Sequence, residues 1–308
     1  MSIALIFNQK PTEEWQLKLQ ELLPETKVEV YPNISVSEEV EFIATWKPHK
    51  NYVTEFPNLK VVQSVGAGID HLLHTKIPDS IKVTRIVDPA LKQEMFEHVL
   101  ACVMTSMKNL MTYYKNQVNK EWKPKSYQNI KETSITILGL GEIGKLVAEQ
   151  FVALGFEVKG WSNSPKNING VESFSGKDGL IAAISKTNFV VNILPLTDNT
   201  EGILNNEFFE KCSANTVLIN VGRGAHLVEK DLLVAIEQKQ IKEAYLDVFV
   251  EEPLSENHPF WTNENVFITP HIASVTNATT ALQQVADNYK KMKNNKALLN
   301  EVSLDRGY

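Results

Sequence analysis

Residues 134–144 (Ser-Ile-Thr-Ile-Leu-Gly-Leu-Gly-Glu-Ile-Gly) limit the folds open to this chain more than any other stretch. A β-branched run leads directly into Gly139, Gly141 and Gly144, a helical pattern follows, and another strand pattern lies at 156–160. In such a unit the first glycine permits a tight turn, the second lets backbone approach a pyrophosphate, and the third lets helix and strand pack closely. The context predicts a dinucleotide site, with a purely structural strand–turn–helix as the alternative. The contacts expected in this loop are those of Gly139, Gly141, Glu142, Ile143 and Gly144.

The bulk composition is that of an ordinary globular protein. At 308 residues the chain is long for one core and suits two domains. Its net charge of −6 argues against a nucleic-acid partner, whose phosphates would require a basic face. No apolar run approaches the roughly 20 residues of a membrane span, and the apolar start reads as a strand, not as a signal peptide. With only two cysteines no disulfide framework is expected, which favours a cytoplasmic location. Because no apolar run is long enough to span a membrane, we expect no membrane partner.

Two series of alternating strand and helix patterns predict an α/β fold with two domains. An uninterrupted stretch without Gly or Pro at 93–118 suits one long helix between the domains, and a terminal helix at 277–295 could return to the first domain. We therefore expect a discontinuous substrate domain (1–100 plus 281–308) and a dinucleotide-binding domain (101–280). The predicted strands are 3–7, 28–30, 42–46, 59–62 and 82–84 in the first series, and 135–138, 156–160, 189–193, 216–220, 244–247 and 266–269 in the second.

The segment after the second strand of the dinucleotide domain bears on which nicotinamide cofactor is used. An acid that binds the ribose of NAD should end this strand, yet none occurs between Val158 and Val171. Without that carboxylate a 2′-phosphate is not repelled, and the segment offers hydroxyl and amide donors and one positive charge. These residues predict a preference for NADP(H), with plain turn residues and the use of NAD(H) as the alternative. The groups concerned are Ser162, Asn163, Ser164 and Lys166.

Three functional groups follow predicted strands of the same domain, at the strand ends where ligands sit in doubly wound sheets. Arg223 follows one strand, Glu251 and Glu252 follow the next, and His271 follows the last. A guanidinium can hold a carboxylate and a keto oxygen together. A histidinium can donate a proton as hydride arrives, while a neighbouring carboxylate fixes its tautomer. Together these groups indicate the reduction of a 2-keto acid.

No metal site is expected. His71 and His74 lie three residues apart on a predicted helix, but no third ligand is suggested nearby. Of the other histidines, His98 suits a packing or interface position on the long helix. The remaining three, His49, His226 and His258, suit loops.

Several of these motifs, in this order, resemble the D-isomer-specific 2-hydroxyacid dehydrogenase family. The resemblance extends over nearly the whole chain, and within the family it is nearest to the type A glyoxylate/hydroxypyruvate reductase branch. That likeness implies a flavodoxin-like substrate domain beside a doubly wound Rossmann domain, and a homodimer. The motifs are Gly139–Gly144, 194–197 (LPLT), 220–224 (NVGRG), 247–253 (DVFVEEP), 269–271 (TPH) and 65–70 (VGAGID); the branch-like segments are 44–48, 121–124 and 305–308.

The resemblance also implies roles for individual residues. Arg223 would anchor the substrate, Glu252 would partner His271, and His271 would be the acid/base. Main-chain N–H groups of Val65, Gly66, Ala67 and Gly68 would hold the substrate carboxylate, Trp46 would wall the pocket, and Trp122 would reach the partner subunit's site. Asp247 would contact the nicotinamide amide, with further cofactor contacts from Leu194, Pro195, Thr200, Val221 and Gly222.

The expected reaction is the NADPH-dependent reduction of glyoxylate or hydroxypyruvate to the 2-hydroxy acid. A dehydrogenase for D-lactate-like or phosphoglycerate-like substrates is one alternative. A nucleotide-sensing binding protein or corepressor that keeps only the fold is another.

Overall fold

The computed structural model describes residues 1–8, 12–73 and 75–302. His74 and the branch-like segment 305–308 therefore lie outside the described residues. The chain divides into two compact units, Met1–Leu91 with Thr276–Tyr308 and Lys92–Val275. Each unit is described by itself below.

The secondary structure alternates along the chain as the sequence patterns predict. The strands are β1 (Ser2–Phe7), β2 (Lys27–Val30), β3 (Val40–Trp46), β4 (Val61–Ser64), β5 (Lys82–Thr84), β6 (Ser134–Leu138), β7 (Glu157–Trp161), β8 (Val171–Phe174), β9 (Phe189–Asn192), β10 (Thr216–Asn220), β11 (Ile241–Leu246) and β12 (Val266–Ile268). The helices are α1 (Glu13–Leu22), α2 (Pro89–Met107), α3 (Leu110–Val118), α4 (Glu142–Leu154), α5 (Gly176–Ile184), α6 (Asn206–Lys211), α7 (Glu229–Glu237) and α8 (Ala278–Lys293).

The first unit is built on a five-stranded parallel sheet in the order β2-β1-β3-β4-β5. This is the flavodoxin-like order, so the fold expected for the first series is confirmed. Trp15 and Leu19 of α1 pack in one core cluster with Ala281, Leu282 and Val285 of α8. The side chain of Asn277 caps α8 by accepting hydrogen bonds from the N–H groups of Thr279 (2.8 Å) and Thr280 (3.4 Å).

The second unit is built on a seven-stranded parallel sheet in the order β12-β11-β10-β9-β6-β7-β8. Counted from β6, the first six strands have the doubly wound Rossmann order, and β12 extends the sheet at one edge. The sequence predicted six strands and missed β8. This strand is four residues long, lies at the other edge and is only partly buried, so it lacks a strong apolar signal.

The single helix predicted at 93–118 is wrong, because the structure has two helices there. Asn109 separates α2 from α3 with a left-handed backbone (φ +54°). Asn tolerates this conformation better than most residues, and its Nδ2 donates to the carbonyl of Ser126 at 3.2 Å. The start of α2 is also earlier than predicted: Pro89 occupies its first position, and the Asp88 carboxylate accepts from the N–H of Ala90 at 2.9 Å.

The unit boundaries fall at Leu91/Lys92 and Val275/Thr276, compared with the predicted divisions at 100/101 and 280/281. The physical reason is that α8 packs in the core of the first unit from its first turn, while the core of the second unit includes α2 from Met95 onward. Among the described residues, no helix is both long and apolar enough to cross a membrane.

Candidate active site

The glycine-rich loop between β6 and α4 has the three features that a pyrophosphate site requires. Gly139 adopts φ +101°, and a Cβ there would lie 2.8 Å from the carbonyl oxygen of Ile193. A Cβ at Gly144 would lie 1.8 Å from the carbonyl oxygen of Gly139, so this position has no room for a side chain. By contrast, a Cβ at Gly141 would meet no atom within 4 Å, which leaves the start of α4 open to a ligand. The loop therefore suits a phosphate bound at the helix N-terminus.

Glu142, the first residue of α4, forms an ion pair with Lys92 of α2. A carboxylate beside a pyrophosphate would repel it. Because Lys92 pairs with Glu142, the negative charge at this end of the loop is reduced.

The segment that follows β7 is held in place by β8. The N–H of Ser162 donates to the carbonyl of Phe174 at 3.2 Å, and the N–H of Lys166 donates to the hydroxyl of Ser173 at 3.1 Å. The Ser162 hydroxyl, which is nearly buried, donates to the carbonyl of Ser164 at 2.8 Å. Asn163, Ser164 and Lys166 are exposed. The strand missed in the sequence thus holds the segment that the sequence analysis predicts to bind the 2′-phosphate.

Another loop, after β9, carries Leu194, Pro195 and Thr200. The Thr200 hydroxyl donates to the carbonyl of Pro195 at 2.7 Å and accepts from the N–H of Thr197 at 2.8 Å. These bonds connect Pro195, Thr197 and Thr200 within the loop.

His271 and Glu252 are in direct contact although they are far apart in sequence. Nδ1 of His271 lies 3.0 Å from Oε1 and 2.9 Å from Oε2 of Glu252. The N–H of Phe249 donates to the same carboxylate at 3.2 Å, which fixes its orientation. A carboxylate accepts hydrogen bonds, so it selects the tautomer with a proton on Nδ1. Nε2 is left as the nitrogen that can exchange a proton with a substrate.

The backbone around His271 is held by Asp247. His271 has a left-handed backbone (φ +55°). The buried Asp247 carboxylate accepts from the Thr269 hydroxyl at 2.6 Å and from the N–H groups of Ile272 and Ala273, both at 2.9 Å. The carbonyl of Asp247 accepts from the N–H of His271 at 2.9 Å. Sequence reasoning assigned Asp247 only to the cofactor, so this supporting role was missed.

Two neighbouring groups on α2 titrate unusually because of their surroundings. Burial lowers the pKa of His98, while the negative charge of Asp247 acts in the opposite direction. Burial, with a smaller effect of Asp247, raises the pKa of the Cys102 thiol to about 12. The charge of Asp247 therefore acts on both of these side chains of α2.

Arg223 follows β10, the strand that pairs with β11, and Glu252 and His271 follow β11 and β12. Nη1 of Arg223 donates to the carbonyl of Gly222 at 2.7 Å. The loop after β10 packs directly on the loop after β11, since a Cβ at Gly224 would lie 1.9 Å from the carbonyl carbon of Phe249. The three predicted groups therefore lie at the ends of three adjacent strands.

The substrate loop predicted in the first unit follows β4. The N–H of Val65 donates to the carbonyl of Thr45 at 3.0 Å, and the N–H of Gly66 donates to the Ser64 hydroxyl at 3.1 Å. Of the four N–H groups in this loop, those of Ala67 and Gly68 donate to no acceptor among the described residues. The assignment of all four N–H groups to a substrate carboxylate stays a prediction.

Trp46 lies against this loop. A Cβ at Gly66 would lie 2.3 Å from the Trp46 ring, so the glycine is needed for this close packing. The ring of His71 lies 4.5 Å from that of Trp46, between centroids. Trp122 lies in the second unit and is 97% exposed. Among the described residues, no cluster of three or more His, Cys, Asp or Glu side chains could hold a metal ion.

A Rossmann sheet with a glycine-rich phosphate loop, and with a histidine–carboxylate pair at the ends of its strands, defines a nicotinamide-dependent oxidoreductase. Residues 100–273 match the family model for the NAD-binding domain of D-isomer specific 2-hydroxyacid dehydrogenases. The chain belongs to this family, which confirms the resemblance seen in the sequence.

Relatives match over 96% or more of the chain. Glyoxylate/hydroxypyruvate reductase A of Yersinia enterocolitica is 36% identical over 96% of both chains. A D-isomer specific 2-hydroxyacid dehydrogenase from Xanthobacter autotrophicus, solved with NADPH, has a TM-score of 0.94 at 34% identity, covering 100% of this chain and 99% of that chain. The NADPH-dependent glyoxylate/hydroxypyruvate reductase of Sinorhizobium meliloti, solved with NADP and sulfate, has a TM-score of 0.92 at 31% identity over 100% of both chains.

Proposed function

We propose that this protein uses NADPH to reduce glyoxylate or hydroxypyruvate to the corresponding 2-hydroxy acid. The observation that carries the proposal is the contact between Nδ1 of His271 and both oxygens of Glu252, at 3.0 and 2.9 Å, at the end of a Rossmann sheet. The relatives named as glyoxylate/hydroxypyruvate reductases support the substrate class. The relatives solved with NADPH or NADP support the cofactor.

The residues present fit a dinucleotide, because the open space at Gly141 and the N-terminus of α4 can receive its pyrophosphate. When bound, the nicotinamide supplies the hydride that is added to the keto carbon. His271 then gives the proton on Nε2 to the carbonyl oxygen, so the negative charge that develops there is neutralised. Glu252 stabilises the charged imidazole before the transfer and keeps Nε2 oriented. Arg223 binds the carboxylate and keto oxygen through its planar guanidinium.

The test of the proposal is a panel of 2-keto acids with NADPH, followed by two variants. His271→Ala should lower kcat by about 100- to 10,000-fold, because a positioned acid contributes that much. Arg223→Ala should raise the KM for the keto acid with little change in the Kd for NADPH. His258→Ala is the matched control and should behave like wild type. If no keto acid oxidises NADPH, the reductase proposal is wrong and only nucleotide binding remains. Full activity in His271→Ala would exclude His271 as the acid.

A separate variant tests the cofactor preference. Ser162→Asp places a carboxylate after β7, where it would repel a 2′-phosphate and could bind a ribose hydroxyl. We expect the ratio of kcat/KM with NADPH to that with NADH to fall at least about tenfold, the equivalent of about 1.4 kcal/mol. Ser185→Asp, an exposed change of equal charge, is the control. An unchanged ratio would contradict the argument from the missing acid.

We further propose that the partner is a second copy of this chain. Leu110, Tyr114 and Val118 form an apolar stripe along α3 that is 52–66% exposed, and Trp122 follows it. Residues spaced by four share one face of a helix, and an exposed apolar face of this kind is typical of an interface.

Tyr114→Asp should therefore shift the protein to a monomer in analytical ultracentrifugation, while Leu17→Asp, at an exposed position of α1, should not. Trp122→Ala should leave the dimer intact and lower activity, as expected if this side chain reaches the partner's site. A wild-type protein that sediments as a monomer at micromolar concentration would refute the dimer.

The cytoplasmic location expected from the sequence stays a prediction.

A further inference from the structure

A cluster of three buried polar side chains lies beneath the ends of β9 and β10. Asn192, Asn220 and His226 are each 0% exposed. His226 was expected in a loop, but it ends a short 3₁₀ turn (Gly224–His226) and is fully enclosed. A buried polar group is costly unless it is hydrogen-bonded, so the partners of this cluster show what it stabilises.

Nδ1 of His226 accepts hydrogen bonds from two donors. The N–H of Arg223 donates to it at 3.1 Å, and Nδ2 of Asn192 donates to it at 2.9 Å. Nδ1 therefore carries no proton, and the neutral ring must have its proton on Nε2. Nε2 lies 3.2 Å from the carbonyl oxygen of Pro195, to which it donates.

The two asparagines complete the network. Nδ2 of Asn192 donates its other hydrogen to Oδ1 of Asn220 at 2.8 Å, so both of its hydrogens are used. Nδ2 of Asn220 donates to the carbonyl of Arg223 at 3.2 Å. Both the N–H and the carbonyl of Arg223 are thus held from below by buried side chains.

The packing leaves this arrangement little freedom. A Cβ at Gly222 would lie 2.9 Å from Nδ2 of Asn192 and 3.0 Å from Nδ1 of His226. The backbone at Gly222, next to Arg223, therefore packs directly on Asn192 and the ring of His226.

We propose that His226 is a positioning residue that sets two loops through its two ring nitrogens. Nδ1 fixes the backbone of Arg223, the proposed substrate anchor, and Nε2 fixes the Pro195 loop, which is proposed to contact the cofactor. This inference rests on the proposed function, since it acts through Arg223. The two nitrogens serve different ligands, so damage to one should be separable from damage to the other.

Two conservative substitutions separate the two bonds. His226→Asn keeps an acceptor near the position of Nδ1 but loses the donor to Pro195. His226→Gln can keep a donor near the position of Nε2 but loses the acceptor for Arg223. The control is His258→Asn, because His258 is a partly buried histidine whose Nδ1, like that of His226, accepts from a backbone N–H, that of Phe260 at 3.3 Å. The readouts are kcat, the KM for glyoxylate, the Kd for NADPH and the melting temperature.

We expect His226→Gln to raise the KM for glyoxylate about tenfold or more, since a displacement of about 1 Å at a binding group can cost up to 100-fold. Its Kd for NADPH should stay within about threefold of wild type, a change of under 1 kcal/mol. His226→Asn should show the opposite pattern, and the control should change neither constant. Arg223→Ala, measured alongside, gives the reference for a lost anchor.

The same profile in His226→Asn and His226→Gln, whether wild-type-like or uniformly impaired with a lower melting temperature, would overturn the inference and leave the proposed function standing. A normal KM for glyoxylate in Arg223→Ala would overturn the role of Arg223 and the inference with it.

Discussion

Asp247 stabilises the left-handed backbone conformation of His271, which residues other than glycine rarely adopt. A left-handed conformation costs a non-glycine residue about 1–2 kcal/mol, and His271 adopts it at φ +55°. Such strain persists only where the surroundings over-determine it. The three hydrogen bonds that the Asp247 carboxylate accepts from Thr269, Ile272 and Ala273 supply that constraint. The orientation of the His271 ring thus depends on a residue that need not touch the substrate.

Asp247→Asn tests this dependence. The amide would turn an NH₂ group toward a backbone N–H or the Thr269 hydroxyl, and an unsatisfied buried group costs about 1–3 kcal/mol. We expect a loss of that size in the free energy of unfolding, together with a lower kcat, measured by urea titration and steady-state kinetics. Asp178→Asn, an exposed change of equal charge, should change neither. Wild-type stability in Asp247→Asn would show that the segment is held by other contacts.

The sequence predicted residues whose position follows from a strand end, and missed those whose role follows from long-range contacts. Arg223, Glu252 and His271 come directly after apolar runs, so their place at one sheet edge could be read from the pattern. His226 follows a Gly-Ala pair that looks like a loop, and its partner Asn192 lies 34 residues away. The sequence also gave no sign that the N–H groups of Val65 and Gly66 donate to the Thr45 carbonyl and the Ser64 hydroxyl.

At the level of elements, the sequence predicted the buried strands correctly. It missed the edge strand β8 and the break between α2 and α3. β6, β9 and β10 are buried along their whole length and gave clear apolar runs. β8 is half-exposed and its pattern is mixed. The boundary between α2 and α3 has neither Gly nor Pro to mark it, because an asparagine adopts the left-handed conformation instead.

Asn109→Gly and Asn109→Ala form a matched pair that tests this helix break. Glycine adopts φ +54° without strain, whereas alanine pays about 1 kcal/mol for the left-handed conformation. Both variants lose the hydrogen bond from Nδ2 to the Ser126 carbonyl, so the difference between them isolates the backbone term. We expect Asn109→Ala to be less stable than Asn109→Gly by about 1 kcal/mol in urea unfolding. Equal stabilities of the two variants would mean that Asn109→Ala avoids the left-handed conformation, with α2 and α3 joined into one helix, without loss of stability.

For the whole molecule, a parallel sheet covered by helices could be derived from the βα series of each unit, whereas the flavodoxin-like order of the first unit was expected from the family resemblance. Sequential parallel strands need crossovers, and right-handed crossovers leave few arrangements for such a series. The return of α8 to the first unit was predictable from its helical pattern after the last strand. The exact boundaries were not, because they depend on which core the first turns of α2 and α8 pack into.

Hydrogen exchange of the full chain tests which main-chain amides respond to the cofactor and which respond to the keto acid. NADPH alone, at about 100 times its Kd, should stabilise the protein by about 2.7 kcal/mol. We expect it to slow exchange in the second unit, at the glycine-rich loop, at 162–166 and at 194–200. Oxamate, an isostere of a 2-keto acid, added with NADPH should then slow exchange at Ala67 and Gly68, the two amides that the first unit leaves unused. Without NADPH, oxamate should have little effect there. Protection of Val65 and Gly66 in place of Ala67 and Gly68 would contradict the donor assignment. Protection of the 65–68 loop by NADPH alone would contradict the assignment of this loop to the substrate.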